Sequence, residues 1–514
     1  MSISLALYGF FSRTQGRHFF WVLLLGCFTT ALPAHAANPT PSFFQCGGAL
    51  EASIWKQWNE SGKEYLNNQL ISKRLVAQGD TYALYDFEIK FHNLLAMAQR
   101  CQRIDRQLEL AEAVKLTYVQ LEQAPAKRSG KAWVCRGGAV CNAKNRLLNN
   151  EVMLNSVQFL AFATSVASGL ARNKPSENSS DFADETAQIA WQHLQRWSDA
   201  NARTALRKRI AASPDDVKNG SSALFFLDRD IWQISIYADL ASILSSRSAL
   251  ENAMDLDGQP GKEARDHLGL LLKLFKSRTT MVTATGADGK PLLLADLDRG
   301  FERLYADNRY AGYSGAEKPV SCAAAPDDSK RKEKIQVRVS ASSLEPVDSV
   351  GWDISHARRL VHFFDAIERN RSALQSVFGL SDKDLPSQKT MASFAHQLRL
   401  NVWNQDKDYP LFANYYSGAN GWYRVAYDNG TDRCSEGYPP YGLSDSFPSG
   451  GYVTWSIWDK RIGELGQRLY ALTNSDAEVD QEFIKKYYPQ YSRTATINNR
   501  LTHEMMFFPT LVTK

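Results

Sequence analysis

The chain has 514 residues, 44% hydrophobic and 11% aromatic, with 60 basic against 55 acidic side chains and a formal net charge of +5. So much apolar material excludes a disordered polymer, and so even a charge balance excludes the long basic face that nucleic-acid binding needs. The one dense cluster, Lys330-Arg331-Lys332-Glu333-Lys334, is short and mixed in sign and reads as a solvated loop.

Residues 1–36 read as an export leader. Arg13 and Arg17 give a positive start, 19–32 an apolar stretch, and Ala34-His35-Ala36 a small-x-small cleavage site. A rival reading takes Leu24-Leu25-Gly26-Cys27 as a lipid-attachment box, but the bulky Phe28 follows that cysteine. Beyond the leader no apolar run approaches the roughly 20 residues of a membrane helix. The mature chain, 37–514, is expected to be a soluble monomer in a periplasm or secreted.

Apolar residues then recur at helical spacing over 50–78, 80–100, 144–170, 182–212, 222–250, 261–278, 388–403 and 454–473. In 105–122 one face carries Leu108, Ala111, Val114, Tyr118 and Leu121. Clusters such as "ARNKPSENSSD" and "DLDGQPGKEA" punctuate these stretches. Few segments look extended: 279–297 as a hairpin around Asp288-Gly289, and "KIQVRVSAS" and "GWYRVAY" by alternation. No fixed-period repeat is visible.

The expected fold class is mainly α: a single (α/α) toroid over 37–514, incomplete or a six-hairpin barrel, with a few short strands in loops. A ring of antiparallel helix pairs gives so many helices a shared core, and its loops at one end line a central cleft. A helical solenoid, or a split at the irregular 311–350 connection, is the rival arrangement.

The mature chain keeps Cys46, Cys101, Cys135, Cys141, Cys322 and Cys434. An even count in an exported chain points to disulfides. Cys135 and Cys141 enclose only "RGGAV" and pair locally; sequence order makes Cys46–Cys101 and Cys322–Cys434 the simplest remainder. The last link would tie 311–350 to the C-terminal part and so favours one domain. Zinc is the weaker reading, because no Cys-x-x-Cys pair or nearby His appears, and neither a metal nor a cofactor is expected.

Two stretches carry chemistry. "GWDISHARRLVHFFDAIERN", 351–370, starts a helix with Trp352, Asp353, His356 and Arg358 at its head. Asp353 suits an N-cap, and equally a ligand-facing acid. His356 flanks the stripe Ile354, Ala357, Leu360, Val361, Phe364, Ile367, whereas His362 falls opposite it and should be solvated. Residues 414–452 hold seven tyrosines and seven of the 31 glycines. Ordering glycine-rich backbone is entropically costly, so such a segment presenting aromatics suits a binding rim. Trp422 and Tyr441 would stack on sugar rings; Asn414, Asn420, Arg424 and Asp445 would meet hydroxyls and carboxylates.

The turn Trp352-Asp353-Ile354-Ser355-His356-Ala357 resembles the D-x-S-H-(A/G) turn of (α/α)-toroid proteins acting on polysaccharides. The stretch from Phe412 to Trp422 resembles their F-x-N-Y-x-x-G-x-N-G-W segment. The likeness covers roughly 350–475 and extends to polysaccharide lyases, uronyl hydrolases and uronate epimerases. The alginate-lyase N-N-H signature and a metal-binding H-E-x-x-H helix are both missing.

The resemblance implies an acidic polysaccharide or oligosaccharide as partner and β-elimination as the reaction. Arg424 or Arg358, with Asn420, would neutralise the uronate carboxylate; His356, Tyr415 or Tyr416 would be the base and Tyr441 the acid. A two-carboxylate glycoside hydrolase would use Asp353 and Asp445. A non-catalytic polysaccharide-binding or envelope scaffold protein is the third reading. The feature that separates them is whether His356, Arg424 and a tyrosine converge.

Overall fold

The apolar periodicity is realised as helix in a computed structural model. It describes residues 42–124, 130–173, 177–219, 222–286, 289–298, 310–323, 334–340, 350–427 and 434–514. The expected leader, its cleavage site and Cys27 lie outside the described residues, as do Asp288 and most of the basic cluster at 330–334. The fold is mainly helical, 61% helix and 9% strand, and residues 41–514 form one compact unit.

The first helices are α1 (Ala49–Gln57), α2 (Tyr82–Arg100), α3 (Ile104–Tyr118), α4 (Met153–Arg172), α5 (Glu177–Trp197) and α6 (Ala200–Ala211). Next come α7 (Pro214–Asn219), α8 (Asp228–Leu244), α9 (Ser248–Ala253) and α10 (Gln259–Arg278). The C-terminal set is α11 (Ile354–Ala357), α12 (Arg359–Phe378), α13 (Gln388–Gln397), α14 (Ser446–Ser449), α15 (Lys460–Asn474), α16 (Glu478–Tyr487) and α17 (Ile497–Leu511). Side chains of Asp199, Asp353, Ser387, Asp459 and Thr496 cap helix starts. Gly379, in the left-handed conformation, ends α12.

The strands form three antiparallel pairs: β1 (Leu121–Gln123) with β2 (Lys131–Trp133), β3 (Thr279–Thr285) with β4 (Pro291–Leu297), and β5 (Val320–Ala323) with β6 (Lys334–Val337). The middle pair is the expected hairpin, in register from Thr279 opposite Leu297 to Thr285 opposite Pro291. "GWYRVAY" is not a strand; it makes one bridge, Tyr423 to Tyr438, because the left-handed residues Arg424 and Ala426 break its pleat.

Four core helices run parallel. α2 packs on α4, α4 on α8, and α8 on α12. At one end their starts meet: Asn155 of α4 donates to Thr81 at the head of α2 (3.3 Å), and Arg359 of α12 reaches Tyr85 of α2 (3.0 Å) and Asp228 of α8 (3.6 Å). At the other end Gln99 bonds the Ser165 carbonyl, and Arg172 bonds Ser242 and Asn370. α17 follows the same sense beside α2, its Pro509 and Val512 carbonyls accepting from Arg100. Outside these lie α3 and α5 against α4, and α10 against α8.

By length and composition alone α4 could cross a membrane, yet 89% of its most apolar window is buried within the protein. Asn155, Gln158, Thr164 and Ser165 interrupt its apolar run. The three expected cysteine pairs, Cys46–Cys101, Cys135–Cys141 and Cys322–Cys434, all stand at disulfide distance. They are compatible with an extracellular or periplasmic protein. The two ends of this compact unit also meet, Cys46 N–H donating to the Thr513 carbonyl at 2.8 Å.

Candidate functional site

The two quoted stretches are joined by backbone. Ile354 N–H donates to the Asn414 carbonyl (2.9 Å) and Tyr416 N–H to that of Trp352 (2.7 Å), so the head of α11 lies against the 414–427 segment. A turn at Arg358 divides the helix that the 351–370 stretch starts into α11 and α12; the helical path begins at Ile354 and reaches Phe378.

Asp353 is buried and does two things. Its Oδ1 caps the turn, accepting from the Ser355 and His356 N–H groups (3.0 and 3.2 Å) and from the Ser355 hydroxyl. Its Oδ2 meets Nδ1 of His356 at 2.6 Å. Burial alone would raise this carboxyl; His356, Ser355 and Arg424 override it and hold Asp353 well below the usual carboxylate range. Both oxygens are committed to holding other groups, which suits a residue that orients a histidine better than an open acid.

Tyr423 stands beside this pair, its hydroxyl 3.4 Å from His356 Nδ1. Burial, with the Asp353 charge, pushes its phenol well above the ordinary value, so it stays protonated. The Arg424 guanidinium lies over the rings of Tyr423 (5.3 Å) and Tyr427 (4.7 Å). Opposite, Arg359 donates to the Tyr85 hydroxyl oxygen at 3.0 Å. Arginine can only donate, so Tyr85 accepts there and its own proton is left to donate elsewhere. Tyr82, one turn before, is pushed up to about 12 by burial and by Tyr427, Tyr85 and Asp80.

His356, Arg424 and a tyrosine therefore converge, together with Asp353. The tyrosine is Tyr423, flanked by Tyr85 and Tyr427; none of these was singled out from the sequence. Tyr82 and Tyr85 carried the fainter signal, at i, i+3 at the head of a helix, and Arg359 lies with His362 on the side turned away from the apolar stripe.

Other expected site residues build the loop instead. Trp352 is buried and its indole donates to Asp298 (3.3 Å). Asn414 is fully buried, bonding the Gly421 and Pro439 carbonyls and accepting from Leu443 N–H. Asn420 accepts from the Tyr441 and Asn414 N–H groups. Tyr415 donates to the Trp422 carbonyl, Tyr416 to that of Phe394, and Trp422 to that of Gly315. These corrections share one cause: irregular backbone leaves N–H and C=O groups unpaired, and polar side chains satisfy them. Tyr441 is half-buried in a left-handed turn.

Arg358 donates to the Ser355 carbonyl (3.1 Å) and faces Asp445. Burial pushes the Asp445 carboxyl up to about 6, with Arg358 pulling the other way. His362 is half-buried rather than solvated, because its ring stacks on that of His92 from α2 at 3.6 Å. His503 donates through Nδ1–H to the Asn499 carbonyl of α17 (2.8 Å) and takes no part here.

Comparison with family models, with curated proteins and with solved structures gives no match to this chain. The site's chemistry must therefore be read from its own geometry.

Proposed function

We propose that the chain is an exported (α/α)-toroid protein that cleaves a uronic-acid-containing polysaccharide by β-elimination in the periplasm or outside the cell. The observation that carries this reading is the Asp353–His356 pair with Arg424 and tyrosine hydroxyls gathered around it. With Nδ1 held by Asp353, proton abstraction falls to Nε2 of His356. That nitrogen takes the C5 proton, the C4–O bond breaks as a C4–C5 double bond forms, and the leaving oxygen needs a proton. Tyr85, whose oxygen already accepts from Arg359, is suited to give it.

The substrate's carboxylate would meet Arg424, and the starts of α2, α4, α8 and α12 add their positive dipole ends to the same side. A ring of parallel inner helices backed by outer ones is what the toroid reading requires, and the packing order α2, α4, α8, α12 supports it. The two-carboxylate hydrolase is the weaker reading: Asp445 has the raised carboxyl an acid needs, but Asp353 is spent on His356 and on the helix cap.

The test incubates the mature protein with uronate polymers and follows the absorbance of the unsaturated product, with neutral polymers as control. Rising absorbance that His356→Ala abolishes supports the lyase. New reducing ends without unsaturation would indicate hydrolysis, and binding without any product a carbohydrate-binding protein.

A further inference from the structure

One turn deeper than Tyr85 and Arg359, the same two helices carry a second cluster that the proposed chemistry does not use. Glu88 and His92 stand one turn apart on α2, and His362 faces them from α12. Glu88 and His92 are buried and His362 half-buried. One ligand atom from each lies within 4.8 Å of the other two. We propose that Glu88, His92 and His362 form a binding site for a divalent transition metal of the zinc class.

The donor set suits such an ion. Two imidazoles and a carboxylate are zinc-type ligands, whereas calcium and magnesium take oxygen almost throughout. Tetrahedral bonds of about 2.0–2.1 Å place neighbouring donors roughly 3.3 Å apart. His92 Nδ1 and Glu88 Oε1 are 2.8 Å apart, so the ion would take the place of the proton they share. The outer support is built: Gln158 donates to Glu88 Oε2 at 2.6 Å, and the Trp232 indole donates to Gln158 Oε1 at 3.1 Å. Asp365, one turn beyond His362, is ion-paired with Arg369 at 2.7 Å.

His362 must move. Its ring lies face to face with His92, 3.6 Å away and 2° from parallel, and turning about its side-chain torsions brings a ring nitrogen to the ion. Bound there, the metal would fasten α2 to α12 about 4.5 Å, three residues of rise, beneath Tyr85 and Arg359. This inference does not rest on the lyase reading.

The full mature chain, stripped with a chelator, is titrated with Zn²⁺ by calorimetry and by thermal melting. One equivalent should bind and raise the Tm, while Ca²⁺ does neither. His362→Ala and Glu88→Gln should each weaken binding about 10- to 100-fold or more, and His503→Ala, on α17, should not. Wild-type binding by His362→Ala, or no binding by the folded wild-type chain, overturns the proposal. Should the variants fail to fold, anomalous scattering from Zn²⁺-soaked wild-type crystals decides. An ion between α2 and α12 supports the site, and none there refutes it.

Discussion

The carboxylate of Asp353 grips Nδ1 of His356 at 2.6 Å while capping the turn that carries both residues. A cap fixes the backbone, and here the same group also fixes the ring, so the histidine's tautomer and direction are set by its own helix start. His356→Ala should abolish turnover, or ligand binding if there is none, and cost less than about 2 kcal/mol of stability. Turnover assays beside denaturant melts check it; unfolding of the variant would make His356 a structural residue.

Acid sensitivity follows from the same pair. The Asp353 carboxyl is held below its ordinary value, so its contribution to stability is present above the unfolded value, about 3.9, and is lost as pH falls through the folded one. Asp353→Asn should lower stability at pH 7 by about 1–3 kcal/mol and flatten the acid limb below pH ~4. Denaturant unfolding from pH 2 to 7 reads both effects.

Asp298 has the opposite sign. Burial pushes its carboxyl up to about 8, against the pull of Trp352, Arg278, the Phe226 N–H and Arg209. Its protonated form favours the fold, an effect complete below the unfolded value and lost as pH rises toward 8. Asp298→Asn should therefore stabilise the protein at pH 8, by on the order of 2 kcal/mol, and do little at pH 4. An equal effect at both pH values would show that titration is not its cause.

Arg424→Ala should weaken acidic oligosaccharides more than neutral ones, because it removes a charge-assisted carboxylate partner. Tyr85→Phe keeps the ring and removes only the hydroxyl, so kcat should fall with KM and the Tm little changed. Steady-state kinetics on a uronate substrate separates the two outcomes.

The disulfides should rank by the loop each closes. Cys135–Cys141 spans six residues and Cys322–Cys434 spans 112. On the chain-entropy model, losing the first costs about 2–3 kcal/mol and losing the second about 5. Paired serine variants compared by melting test the order, and mass mapping of the native chain tests the pairing itself.

Local chemistry was legible in the sequence, and long-range chemistry was not. Asp353 and His356 could be picked out because cap and ring are three residues apart on one turn. Trp352, Asn414 and Trp422 were misplaced because an aromatic, glycine-rich segment does not reveal which side chains turn inward to satisfy its backbone. Tyr85 went unnoticed because its partner, Arg359, lies 274 residues away and meets it only once α2, α4, α8 and α12 have packed in turn. α17 was passed over because Pro509 and a polar start blur its period.

The hydrogen bonds between residues 44–46 and Thr513, with Arg100 seated on the last carbonyls of α17, set an order of events in synthesis. α2 lies near the start of the described residues, yet its neighbour α17 lies at their end. Until α17 docks, the apolar flank of α2 has no covering partner, and closing so long a span is entropically slow. Chains truncated just before α17 should stay protease-sensitive, whatever the state of the helices already made.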